Sequence, residues 1–598
     1  MCGYAGILAP PEAIKQFNPT TTVDKMCRVM KARGPDASGR WRNSASGVFL
    51  GHQRLSIVDL GERSSQPFVS FCKRYTIVFN GEIYNYKELR AGLIKSGYIM
   101  KTESDTEVLL NLYARDGNDM LVKLRGMFSF AIWDAVRNKC FLARDPYGIK
   151  PLFIARGPSG WFFASQLKAL IASGQIEFIE NKTAVASFWM LGSVSGPQSW
   201  LNCVQELPPG TWAELSVTDE VLLPFSYWDI GQSWLSPQKK ISQTELQATV
   251  RCALLESVKY HMVSDVPVGL FLSGGIDSGA LAGLVAECGW RDILGFTVCY
   301  DEFDGSHDDE VPHAASIASH FGIKHIIRKV SKEEFCRDLP RIFAAMDQPT
   351  VDGINTWYAA KVASEYGIKV VISGIGGDEL FFGYKSFQQL PKITRAFRLF
   401  QKVPGFIRVL QLFFHLHSRL VRNLRWKFAC DWCLSIGGAW WLRRSNFAPD
   451  DIIIQDDDGS LKKLLTKLDP SEWVSNAVGK LPEDEVLALG KIESMMYLRN
   501  QLLRDSDWAS MAHGVELRTP LVDAHLLKRL SPYLQLMSKF SGKSLLSNAP
   551  IKPLPKCVQS RKKTGFSIPV DLWLRDKTAG NRFAKSQLIL NSIFKQTK

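Results

Sequence analysis

At 598 residues the chain is long enough for two or more domains. Its 46% hydrophobic and 22% charged residues fit a folded globular protein and exclude a disordered one. The 12 cysteines are too dilute for a disulfide scaffold. No basic-then-apolar leader precedes Cys2, and no uninterrupted apolar run of ~20 residues occurs. The expected setting is therefore reducing and cytoplasmic.

Met1-Cys2-Gly3 opens the chain. A small second residue favours removal of Met1, which leaves a thiol and a free α-amine on one framework. That amine titrates near ~7.7–8 and can take the thiol proton, the logic of an N-terminal nucleophile. A second-position cysteine alone more often means a small buried side chain.

Residues 1–210 read as a first unit of short β-like runs (Val48–Leu50, Thr76–Phe79, Cys140–Ala143) separated by Gly, Asn and Asp turns. Helical patterns fall near Tyr86–Ser96 and Asp105–Asp116. Four clusters carry side chains suited to an α-amino-acid amide. Arg54 can hold a carboxylate with a two-pronged guanidinium. Asn80 and the Gly81 N–H can form an oxyanion hole. Asp105 can take an α-ammonium. Arg33-Gly34-Pro35-Asp36 reads as a rigid turn at the pocket mouth. Singly, each is bland: Asn-Gly is usually just a turn.

In order along the chain stand Met1-Cys2-Gly3, the RGPD run, His52–Asp59 (HQRLSIVD), Asn80–Tyr86 (NGEIYNY), Ser104–Glu107 (SDTE) and Arg144–Phe153 (RDPYGIKPLF). This set resembles the glutaminase domain of glutamine-hydrolysing asparagine synthetases. The resemblance implies an α+β N-terminal-nucleophile fold, a four-layer sandwich of two antiparallel sheets between helix layers. It implies Cys2 as nucleophile, Asn80 and Gly81 as oxyanion hole, and Arg54, Glu82 and Asp105 as glutamine ligands. Gln166 departs from the family's usual Glu, near the expected domain interface.

Residues 211–240 read as a connector with a strand or two. From 241 to 598 a second unit begins with a helix near Gln243–Lys259, after which apolar strands alternate with helices. That alternation implies an α/β fold on a parallel sheet. Val268–Leu272 runs into Ser273-Gly274-Gly275-Ile276-Asp277-Ser278 and then a helix. Two glycines and a helix N-terminus suit a phosphate, Ser273 and Ser278 supply hydroxyls, and Asp277 suits Mg²⁺. The hexapeptide resembles the pyrophosphatase loop of AMP-forming ligases, which implies ATP and Mg²⁺. A second Gly-rich turn, Ser373–Glu379, offers Asp378 as a further Mg²⁺ ligand. By resemblance Ser373 and Gly374 contact the nucleotide, Phe271 and Val298 line the adenine pocket, and Lys563 of Arg561–Phe566 meets pyrophosphate. Such chemistry needs an internal passage for ammonia from Cys2 to the Ser273 loop.

Beyond about 385 the chain reads as mostly helical. From Lys392 to Arg444, 11 Lys and Arg face the single acid Asp431. Aromatic and aliphatic residues interleave with them at helical spacing. Such a stretch suits an anionic membrane surface or a solvated helix pair; no nucleic-acid-binding motif accompanies it. Cys430 and Cys433 have C-x-x-C spacing without a second pair, so two half-buried thiols on a helix are the simpler reading than zinc.

Ile375 stands where asparagine synthetases usually carry Glu. Ile takes no proton and binds no ammonium, so Glu379 or Asp352 must substitute, or the acceptor is not aspartate. The favoured expectation is glutamine-dependent asparagine synthesis. The alternatives are amidation of another carboxylate, such as a uronic acid of a surface polysaccharide precursor, and a non-synthetase binding protein. Homodimers are common among similar enzymes.

Overall fold

A computed structural model of the chain describes residues 2–593 apart from 16, 291, 422, 455, 457–458, 541–542, 562–567 and 575–583. The first unit holds two antiparallel sheets. In spatial order the first runs Val204–Glu206, Phe153–Gly157, Gly160–Ala164, Gly3–Leu8, Val48–Arg54 and Ala37–Asn43. The second runs Phe225–Ser226, Thr211–Leu215, Lys139–Arg144, Gly126–Asp134, Tyr75–Ile83 and Phe68–Val69. Tyr4, Leu50, Val78, Trp133, Leu142 and Phe163 come from both sheets into one shared core. Alternation along each strand sends the other side chains outward. There they meet the helices Pro19–Val29 and Leu167–Ala172 on the first sheet and Asp105–Asp116 on the second.

The stretch 211–240 is more than a connector. Thr211–Leu215 pairs with Lys139–Arg144, and Trp212 stacks on Phe225 at 4.8 Å. The second sheet thus extends past residue 210, because these alternating apolar positions complete its edge.

The second unit is built on a five-stranded parallel sheet, ordered Lys324–Lys329, Leu294–Cys299, Val268–Phe271, Val370–Ile372, Glu516–Arg518. Helices cover both faces. Ile276–Glu287 and Val311–Phe321 pack on one side, and Ile354–Glu365 on the other. The chain winds outward in one direction from Val268–Phe271, then returns to its other side with Val370–Ile372. Such a reversal opens a crevice at the carboxyl ends of the two strands, where open α/β sheets bind ligands. The Ser273 and Ser373 loops leave from those two ends.

From Ser386 onward helices dominate. One of them, Glu493–Leu503, has the wider i→i+5 hydrogen bonding that often marks functional sites. No helix among the described residues is long and apolar enough to cross a membrane.

Candidate active sites

The first site lies at the head of the strand Gly3–Leu8. Gly3 pairs with Gln53, which places Cys2 beside Arg54. Cys2, Arg54, Gly81, Glu82 and Asp105 line one small cavity, together with Ser64, Gln66 and Thr106. Asn80 is its immediate neighbour. The Cys2 N–H donates to Asn80 Oδ1 at 3.1 Å, which fixes the amide's orientation. Asn80 Nδ2 is then buried without a partner among the described residues. A buried, unmatched donor beside a thiol is what a developing oxyanion needs. Gly81 has φ 152°, and a Cβ there would meet the Met127 carbonyl oxygen at 2.1 Å. Only glycine fits.

Arg54 lines the cavity but also braces it. Its guanidinium donates to the carbonyls of Gly61 and Asp59 and to Ser64 Oγ. Asp105 Oδ2 accepts from the Ile83 N–H at 3.1 Å, and burial raises its pKa to about 6. Burial likewise raises Glu82, with the nearby Asp105 charge adding to the effect. Burial also pushes up the Cys2 thiol. The RGPD turn does more than shape a mouth. Arg33 Nε donates to the Cys2 carbonyl at 3.1 Å, while its other nitrogens grip Asp507 of the second unit at 2.7 and 3.0 Å. Asp36 accepts from Lys369, also across the interface, at 2.8 Å.

The second site forms where the sheet order reverses. Ser278 Oγ donates to the Ser273 carbonyl at 2.9 Å, and the two hydroxyls lie 3.0 Å apart, so the first loop is folded back on itself. The Ser373 N–H donates to the Arg518 carbonyl at 2.8 Å, which holds the second loop against Glu516–Arg518. The loops touch: a Cβ on Gly377 would lie 2.5 Å from the Asp277 carboxyl carbon, and one on Gly374 would lie 2.8 Å from Asp277 Cβ. Asp277 and Asp378 therefore converge, and Lys543 binds both. Its Nζ is 2.6 Å from Asp277 Oδ2 and 2.6 Å from Asp378 Oδ1. The two carboxylates raise the Lys543 pKa despite its burial. Lys543 was not legible in the sequence, because its position 266 residues beyond Asp277 carries no motif.

Phe271 is half-buried at the end of its strand, paired with Phe296, and Val298 is buried in the next strand within the same core. Lys563 lies outside the described residues. Arg561 of the same run does reach the loop, since a Cβ on Gly274 would lie 2.4 Å from its Nη1. Arg561 Nε is buried with no partner among the described residues.

Ile375 is half-buried and packs against both main cores. Glu379 lies four residues on, buried, with Oε1 accepting from Tyr384 Oη at 2.6 Å. Burial and the adjacent Asp378 raise its pKa to about 7. Tyr384 in turn faces the guanidinium of Arg444, which lies 3.6 Å over the Tyr497 ring and donates to Glu493 at 2.7 Å. Arg444, Tyr497, Ser193, Asn446 and Gln501 line a compartment of about 180 Å³. Ser195, Met496 and Asn500 also line a larger cavity of about 890 Å³ between the two units, bordered by Arg33, Gln166, Asp347 and Arg504. Asp352 is half-buried, and its charge, after burial, is the main influence raising Asp505 to about 8. Cys430 and Cys433 are both buried free thiols, deeper than the half-buried pair expected.

A nucleophile pocket of this kind, packed against a nucleotide-type crevice, defines a two-site amidotransferase. Residues 1–228 match the glutamine amidotransferase domain family, and residues 249–592 match the asparagine synthase family. The chain is 31% identical to asparagine synthetase [glutamine-hydrolyzing] 1 of Bacillus subtilis, over 96% of this chain and 88% of that protein. It is 28% identical to an amidase, chyE, of Penicillium rubens, over 96% and 89%. A putative asparagine synthetase [glutamine-hydrolyzing] of Mycobacterium tuberculosis is 31% identical, over 96% and 88%. The chain belongs to the glutamine-hydrolysing asparagine synthetase family and is a carbon–nitrogen ligase of that type.

Proposed function

We propose that the chain hydrolyses glutamine at Cys2 and uses the ammonia to amidate a carboxylic acid activated by ATP, with aspartate as the first acceptor to test. The orphaned Asn80 Nδ2 carries the first half of this reading. The Cys2 thiolate attacks the side-chain carbonyl of glutamine, and the Asn80 amide and Gly81 N–H meet the oxygen as charge grows on it. Ammonia leaves, and water cleaves the thioester to glutamate. Arg54, Glu82 and Asp105 surround the amino-acid end.

In the second half, an acceptor carboxylate oxygen attacks the α-phosphorus of ATP. The bond to the bridging oxygen breaks, and pyrophosphate leaves. Ammonia then attacks the acyl carbon, AMP departs, and a proton is released. Ser273, Gly274, Gly275, Ser278, Ser373 and Gly374 suit the phosphates, and Phe271 and Val298 the base. Arg561 and Lys563 are placed in sequence to meet pyrophosphate. The converging carboxylates of Asp277 and Asp378 fit Mg²⁺, a hard cation that takes one or two carboxylates plus phosphate oxygens. When bound there it would offset the charge of the departing pyrophosphate. Lys543, held between the same two carboxylates, would supply a further positive charge toward the phosphates.

A specific observation favours a second acceptor class. Ile375 removes the expected carboxylate, and the 180 Å³ compartment beyond Tyr384 sets hydroxyls, amides and one guanidinium beside Leu191, Val351, Trp440 and Met496. That lining suits a hydroxylated acid such as a uronic acid as well as it suits aspartate. The amidase-named relative points the same way. The discriminating experiment supplies ammonia, ATP and a panel of carboxylic acids and follows AMP and pyrophosphate. Release with aspartate supports the first acceptor. Release only with a sugar acid supports the second. No release with any acid, with glutamine still hydrolysed, would overturn the ligase reading of this chain.

A further inference from the structure

The helices Ser386–Gln401 and Phe406–Leu420 form a hairpin that the amidation chemistry does not use. On the second helix the apolar residues Phe406, Val409, Phe413, Leu416 and Leu420 recur at spacings of three and four, which sets them on one face. That face is open: Val409 is 63% exposed, Phe413 57%, Leu416 52% and Leu420 82%. The face that packs inward is a different one, carrying Leu410 and Phe414, with Phe414 against Phe397 of the first helix. The open stripe continues across the turn. The Phe400 and Phe406 rings lie 5.1 Å apart, and Leu399 and Val403 are exposed beside them.

Cations border this apolar surface. Lys392, Lys402 and Arg408 are exposed and form no salt bridge among the described residues. Arg395 and Arg398 share a single acid, Glu485. No Asp or Glu occurs between Glu379 and Asp431. A second copy of the chain seated on this face would bring like charges together with no carboxylate from either hairpin to offset them. An anionic lipid surface supplies both complements, negative headgroups for the cations and an acyl boundary for the stripe. No helix among the described residues is long and apolar enough to cross, so a hairpin of this kind would lie in the interface plane.

We propose that the hairpin 386–420 is a docking face for an anionic lipid bilayer, with Val409, Phe413, Leu416 and Leu420 entering the acyl boundary and Lys392, Lys402 and Arg408 meeting the headgroups. This does not depend on the identity of the acceptor. It would place the synthetase beside substrates carried at a membrane surface.

The test is flotation of the full chain with vesicles of phosphatidylglycerol and phosphatidylcholine, against vesicles of phosphatidylcholine alone. Two charge-preserving and charge-removing variants separate the contributions: V409Q/F413Q/L416Q keeps every cation, and K402Q/R408Q keeps the stripe. Glutamine hydrolysis by each variant reports that it is folded. The wild type should float with the anionic vesicles and not with the neutral ones. The triple variant should bind at least about tenfold more weakly at unchanged net charge. The double variant should lose roughly fivefold for each cation removed, as expected for basic residues at an anionic surface. Wild-type binding that survives the triple variant would reduce the effect to general charge attraction and overturn the proposal. So would the absence of binding to anionic vesicles at low salt. Light scattering covers the remaining occupant: a wild-type dimer that the triple variant splits, without vesicle capture, would make the face an interface between copies and reject the bilayer.

Discussion

The Arg518 guanidinium lies 3.2 Å from the Glu82 carboxylate, and the two residues belong to different units. Arg518 also holds Glu516 at 2.5 Å, and its carbonyl accepts from the Ser373 N–H. Both side chains are buried, so this contact is strong in a low dielectric and costly to break. One residue thus touches the wall of the Cys2 cavity and the backbone of the nucleotide-type loop.

Arg518→Met should therefore loosen the coupling between the sites as well as the fold. It strands two buried carboxylates, and loss of one partner of such a pair costs about 3–5 kcal/mol. Urea denaturation measures that cost. The ratio of glutamine hydrolysed to pyrophosphate released should rise in the folded variant. A ratio equal to the wild type's would mean that Arg518 is only structural.

Cys2→Ala should abolish turnover driven by glutamine and leave turnover driven by ammonium salts within about twofold. The measurement is pyrophosphate release with each nitrogen source. Loss of both would mean that the two sites are not chemically separate.

Lys543→Gln removes the cation that joins Asp277 and Asp378. Pyrophosphate release should fall at least about tenfold, while glutamine hydrolysis continues. The folded protein should also lose stability when Mg²⁺ is withheld, because the two carboxylates then face one another without an offsetting charge. Thermal melting with and without Mg²⁺ checks this, and an Mg²⁺-independent melt would reject the shared site.

Glu379 has a folded pKa of about 7, above its ordinary carboxylate value. The folded state then holds a proton that the unfolded chain has already released. Its contribution to stability is complete below the ordinary carboxylate range and is lost as pH rises through about 7. Glu379→Gln should flatten that decline in a melting series from pH 5 to pH 8. If Glu379 replaces the carboxylate missing at Ile375, the same variant should also remove the rise in synthesis as pH passes about 7. A rise of unchanged midpoint would assign it to another group.

Ile375→Glu restores a carboxylate beside Asp378. It should raise aspartate-dependent pyrophosphate release if aspartate is a poor acceptor for the wild type. No change, measured across the acid panel, would show that position 375 does not set acceptor choice.

The order of motifs along the chain was sufficient to separate two units and to bring Cys2, Arg54, Gly81, Glu82 and Asp105 to one cavity. Local chemistry explains why. Gly81 needs its backbone angle, the Ser273 loop needs its glycines, and alternating apolar runs need a sheet. These requirements are met within a few residues, so they leave a pattern in the sequence. The extent of the first unit was less legible. Thr211–Leu215 is an ordinary alternating strand until Lys139–Arg144 provides an edge for it.

Other features depend on contacts hundreds of positions apart. Lys543 clamps Asp277, Arg33 grips Asp507, and Arg444 reaches Tyr384. A lone Lys or Arg looks like any surface charge until folding removes water and supplies its partner. Which chemistry each unit is equipped for can be read along the chain, because it resides in short stretches of backbone and side chain. How the two units grip one another, which carboxylates are buried around the second loop, and which face of the basic hairpin is left open emerge on folding. Those are outcomes of burial and packing, and no single stretch of chain encodes them.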